Sequence, residues 1–208
     1  MMNINNPIPS AWSQYVTQSN LGLEVVPAVL YDTLTIATAT AGPFPFFTAQ
    51  RASVDLSNMQ NPGQLPNPNS FLIQGMRIYF KNRPQMADSG AAAPTSVASL
   101  ADDIAQLANM ATLQLKIGEK LYGPWPLWML PCGTGPDVRW SQAGAEAANI
   151  IANYAQINGD FLYGTFPNLM IAPQQQFSAV ITIPAALTLS VSLVPSLLFD
   201  GQLARAIQ

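Results

Sequence analysis

A chain of 208 residues that is 49% hydrophobic can build a core without disulfides or a structural metal. Only 9% of its residues are charged, where an ordinary soluble domain has about 25%. The net charge of −3 argues against nonspecific nucleic-acid binding, which needs clustered lysine and arginine, and the absence of histidine excludes Ser-His-Asp and Cys-His catalysis and histidine-based zinc sites.

Residues 1–20 are polar and proline-spaced, and their only large side chains are Trp12 and Tyr15. Without a periodic apolar face they read as an extended arm, and Trp12 and Tyr15 suggest that it docks on a neighbouring subunit. Arg51 is the first basic residue, so the basic start of a secretory signal is missing and synthesis without a signal peptide is expected. The remainder, 21–208, shows no convincing boundary or internal repeat and reads as one domain.

From Leu21 onward, apolar residues recur every second position, as in strands with one greasy face. Leu34 and Ile36 alternate with Thr33, Thr35 and Ala37. Phe71 to Phe80 is apolar on both parities, so something is expected to cover its second face. Leu113, Leu115 and Ile117 alternate with Gln114 and Lys116. Phe177, Ala179, Ile181 and Ile183 form one later run, and Leu187, Leu189, Val191 and Leu193 another. Turn signals separate the runs: Ala41-Gly42-Pro43, Asn61-Pro62-Gly63, Pro66 to Asn69, the Gly118 segment, Asn158-Gly159 and Asp200-Gly201.

Two segments change to helical spacing. Val97, Leu100, Ile104 and Leu107 recur at three and four after Thr95 or Ser96, with Asp102 and Asp103 placed on the opposite side. Ala147, Ile150, Ile151 and Tyr154 follow the same rhythm, with Asn158-Gly159 as the stop. Residues 161–199 carry no charge, but Pro167, Pro173, Pro184 and Pro195 and the run Gln174-Gln175-Gln176 argue against a spanning helix. The expected architecture is therefore all-β, a sandwich or barrel of about eight strands with two short inserted helices.

Catalytic signatures are missing: there is no G-x-S-x-G elbow and no Walker loop. A histidine-free glycosidase would need two carboxylates. Asp102, Asp103 and Asp137 are the candidates, and early-helix charge or a turn explains each more simply. Cys132, the single cysteine, has no nearby cation and reads as a packed thiol. The chain lacks a D-x-D-x-D-G calcium loop. No catalytic residue, metal or cofactor is expected.

Four segments together resemble the single jelly-roll capsid proteins of tailless icosahedral bacteriophages, some of which enclose an internal membrane. They are Phe71 to Phe80, Leu113 to Tyr122 with Pro126 to Pro131, Gln176 to Pro184, and Leu198 to Gln208. The resemblance implies an eight-stranded jelly roll that assembles into an icosahedral shell with copies of itself, with other capsid proteins and in some relatives around a viral membrane. The virion is the implied location. The uncharged arm departs from a genome-binding pattern, so no direct nucleic-acid contact is expected. Trp125 and Trp128, in the proline-bracketed Gly123-to-Pro131 stretch, are the expected anchor patch, because aromatics concentrate at contact hot spots. The alternatives are a receptor- or glycan-binding spike or lectin-like module, and the glycosidase above.

Overall fold

The computed structural model describes residues 23–81, 95–130, 139–141, 151–153, 168–189 and 192–206. In chain order they form β1 (Leu23–Thr33), β2 (Ala39–Phe46), β3 (Ser70–Phe80), α1 (Thr95–Met110), β4 (Thr112–Ile117) and β5 (Lys120–Pro126). A 3-10 turn (Leu127–Met129), β6 (Arg139–Ser141), β7 (Ile151–Asn153), β8 (Leu169–Ile171), β9 (Phe177–Thr188) and β10 (Pro195–Ala206) follow. Two antiparallel four-stranded sheets, ordered β1-β10-β3-β8 and β2-β9-β4-β5, face each other, and β6-β7 make a small separate ladder. The pairs β1:β10, β2:β9, β3:β8 and β4:β5 are nested, as in one long hairpin wound across two sheets. The all-β class is thus as expected.

One continuous core joins the sheets. Leu30, Phe71, Ile73, Met76, Ile78, Leu197 and Phe199 point into it from the first, and Phe46, Leu113, Leu115, Ala179, Ile181 and Ile183 from the second. Phe47, Phe177 and Phe199 bridge the layers, with ring centroids 5.4 Å apart for Phe47–Phe177 and 4.8 Å for Phe47–Phe199.

A β-bulge answers the puzzle of β3. Asp200 pairs with Gly75 but Gly201 pairs with Ile73, so Gln74 is an extra residue and the side-chain phase flips there. Phe71 and Ile73 before it, and Met76, Ile78 and Phe80 after it, consequently share the inner face. The apolar residues on both parities of β3 mostly serve one core. Asp200-Gly201, which reads as a turn, lies inside β10 opposite this bulge. A Cβ on Gly201 would sit 1.9 Å from the Leu72 carbonyl oxygen, so the residue permits the strands' close approach. Ala41-Gly42-Pro43 is likewise internal to a strand: the register of β2 on β9 shifts between Thr40 and Gly42, which has φ 113°.

The first C-terminal run extends into the start of the second: β9 takes in Leu187 and Thr188, whereas Leu193 makes an isolated bridge to Ile36. Strand β9 continues through Pro184, which lies beyond the last β4 partner, Thr182, and inside the β2 register jump from Ile183 to Leu187. No ladder partner there requires the donor that proline lacks. The run containing Leu34 and Ile36 lies past the end of β1, where Ile36 bridges to Leu193. Helix α1 matches its expected span. Its Asp103 is 2% exposed, not turned to solvent, because it lies one turn before buried Leu107 on the same face. Of the second expected helix, Ile151–Asn153 form strand β7 instead, paired with Arg139–Ser141. A ladder partner overrides the helical spacing there, and the rest of that segment lies outside the described residues.

The 47–69 connection is clamped to β1. Buried Asp32 accepts the Phe47 amide at 2.6 Å and Arg51 Nε and Nη2 at 2.9 and 3.1 Å. The first of these bonds holds Phe47 at φ 64°, a left-handed backbone unusual for a bulky residue. The Asp32 hydrogen bond raises the Arg51 pKa above the ordinary guanidinium value.

Candidate assembly surface

Three features define the surface: the sheet edges, the corner after β5, and the outward sheet faces. Exposed strand edges invite pairing with another chain, and proline blunts them by removing donors. The edges of the second sheet are β2, with Pro43 and Pro45, and β5, with Pro124 and Pro126. In the first sheet, edge strand β1 carries Pro27, and edge strand β8 is three residues long. Proline here does the work that edge lysines do in charge-rich proteins.

At the corner, the 3-10 spacing aligns residues three apart, so Leu127 and Leu130 both enter the core and Trp128 is thrown outward. Leu127 N donates to Ala111 O at 2.9 Å, fixing the turn against the end of α1. Trp128 (54% exposed) and Met110 (40%) flank this bond. Trp125, by contrast, is half-buried against the core beside Gly123, whose Cβ would lie 2.9 Å from its Cε3 atom. The two tryptophans expected to form one patch therefore differ, one packed and one presented. Trp12 and Tyr15 lie outside the described residues, as do Cys132 and Asp137.

The register sorts the outward side chains into rows. On the second sheet, Pro43, Thr182, Thr112 and Pro126 lie side by side, then Pro45, Val180 and Gln114, then Ser178, Lys116 and Leu121. Among the described residues, Lys116 is the sole charge on this face. On the first sheet the outward charges are Arg77 and Asp200, paired with Nη2 to Oδ1 at 2.9 Å. Thr33 and Ser196 bond each other beside them at 2.7 Å. Antiparallel sandwiches normally turn polar residues outward, and here both outward faces are almost free of net charge.

A cleft of about 390 Å³ with a mixed lining lies at one end of the sandwich, bounded by Thr48, Lys116, Glu119, Gln176 and Ser178 together with Pro62 and Phe177. Three loops close around it through Gly118 N to Gln176 O (2.7 Å), Phe177 N to Gly63 O (2.8 Å) and Gln174 N to Leu65 O (3.0 Å). Gly118 (φ 59°) opens the two-residue β4–β5 turn, in the position that a II′ hairpin reserves for glycine. Among the described residues no cluster of three or more His, Cys, Asp or Glu could hold a metal. No described helix is long and apolar enough to cross a membrane. No family model, curated protein or solved structure matches the chain.

Proposed function

We propose that this chain is a viral capsid protein that acts by assembling with copies of itself into an icosahedral shell. The observation that carries the reading is the near absence of net charge from both outward sheet faces, with Arg77 and Asp200 paired on the first and Lys116 the sole charge among the described residues of the second. A chain that stays dispersed in water ordinarily displays mixed surface charge; one whose faces are covered by neighbours has no use for it. Some of the few charges present are also neutralised within the chain, since Arg51, Arg77 and Arg205 pair with Asp32, Asp200 and Glu24.

A jelly-roll topology is supported by the nested strand pairs, with first and last strands adjacent, which is how a two-sheet jelly roll is wound. Proline-blunted edges support contacts made by side chains rather than by sheet extension. Other capsid proteins and an internal viral membrane are the further partners that this reading admits. The test is electron microscopy of the purified chain across salt and pH: closed shells or curved sheets are expected, and discrete small oligomers contradict it.

A second reading, a receptor- or glycan-binding module, draws on the cleft of mixed lining, whose 390 Å³ matches a small ligand. It expects an oligomer that stops growing, and saturable binding of a neutral glycan lost on changing Gln176 and Ser178 to Ala.

A further inference from the structure

The two outward faces are not equivalent. On the first sheet, Leu72 (1% exposed), Ala204, Ser196, Thr33 and Asp200 are buried within the single chain, and of the outward residues of β1, β3, β8 and β10 Pro27 and the terminal Ala206 are exposed. On the second sheet, Ala39, Ala41, Pro43, Pro45, Thr182 and Pro184 are all exposed. We infer that this exposed face, the outer side of β2-β9-β4-β5, packs against the same face of a second copy. The inference rests on the assembly reading and names the surface that performs one of its contacts.

Four physical arguments single out a second copy as the occupant. First, a surface that meets itself places like charges together, which costs several kcal/mol in an interface. This face carries only Lys116 among its described residues, at one margin of the rows rather than beside Thr182. Second, burying Pro and Ala loses no side-chain rotamer freedom, so little entropy opposes contact. Third, strands about 4.8 Å apart and rising about 3.3 Å per residue give a four-stranded face of roughly 19 by 26 Å, about 500 Å² in plan. That is more than half of the ~800 Å² per partner of a standard interface, enough for one of several contacts in an assembly. Fourth, prolines on both flanking edges, β2 and β5, prevent the sheet from growing sideways, which leaves face packing as its route to burial.

Thr182 sits in the middle of the face, flanked by Pro43 and Thr112, so in an isologous contact it lies near its own copy. The experiment uses the full chain and three variants: Thr182→Glu, Thr182→Lys, and Val54→Glu, the last at an exposed loop position remote from the face. Circular dichroism checks that each folds, and sedimentation velocity reads the assembled fraction. Each Thr182 variant alone is expected to lose assembly by roughly tenfold or more through like-charge repulsion, and an equimolar mixture of the two to regain it. Val54→Glu is expected to assemble as the unaltered chain does.

Unimpaired assembly of both single variants overturns the inference. So does a mixture that fails to recover, because the face then meets something other than itself. If a Thr182 variant loses its fold, Val180→Glu and Val180→Lys, one row away, serve as the same pair. An unaltered chain that stays monomeric throughout overturns the capsid reading itself, a result distinct from either of these.

Discussion

At the residue scale, the side chains with the largest structural consequence are those held where no alternative fits. Gly201 is one: the Leu72 carbonyl occupies the space of its Cβ, so Gly201→Ala must push β10 away from β3. A loss of about 3 kcal/mol is expected in urea unfolding, at the upper end of overpacking costs; an unchanged midpoint contradicts the close approach. Asp32 is another, since its removal orphans both Arg51 and the Phe47 amide. Asp32→Ala is expected to cost about 3 kcal/mol, the range for breaking a buried ion pair from one side. The tryptophans separate folding from assembly. Trp125→Ala deletes a group packed on the core and is expected to lower stability by about 2 to 3 kcal/mol. Trp128→Ala removes an exposed ring, so thermal unfolding stays within about 0.5 kcal/mol of the unaltered chain while light scattering falls. Equal losses of fold and assembly for Trp128 contradict its interface role.

At the scale of elements, alternation was readable wherever a strand kept one phase. Thr112–Ile117 and Phe177–Ile183 could be placed from their residues alone, because unbroken period two has one geometric meaning. Errors arose where backbone geometry interrupts that period. Glycine marks both loops and bulges, so Asp200-Gly201 and Ala41-Gly42-Pro43 resembled turns; only the partner strand distinguishes the two. Proline is equally ambiguous, and Pro184 is tolerated in β9 because β4 has ended there and the β2 register jumps past it. The Ile151 segment shows the reverse case, a helical rhythm overruled by a ladder partner. Of the candidate surface, Trp128 was legible as a bracketed aromatic. The nearly uncharged face was not, since it is made of scattered residues such as Pro43, Thr182, Thr112 and Pro126 from four strands, whose neighbourhood appears only once register is known. The edge prolines carry their own expectation. Replacing Pro43 and Pro45 with Thr restores two donors to edge β2, and thioflavin-positive aggregation is expected to rise. Unchanged aggregation contradicts a guarding role.

At the scale of the whole molecule, scarcity of charge and scarcity of free edges describe one design. A sandwich with bare edges and bare faces would aggregate without order. On the proposed reading, blunted edges channel association to side-chain surfaces whose geometry limits how copies meet. The 9% charged content thus has a structural counterpart: three ion pairs, a second-sheet face with little charge and, among the described residues, one exposed tryptophan at the corner after β5. The central claim is that this exterior exists to be covered by other copies. Sedimentation velocity of the purified full-length chain over rising concentration tests it most directly. The account predicts a shift from monomer to large, discrete assemblies, and a chain that remains a soluble monomer at high concentration contradicts it.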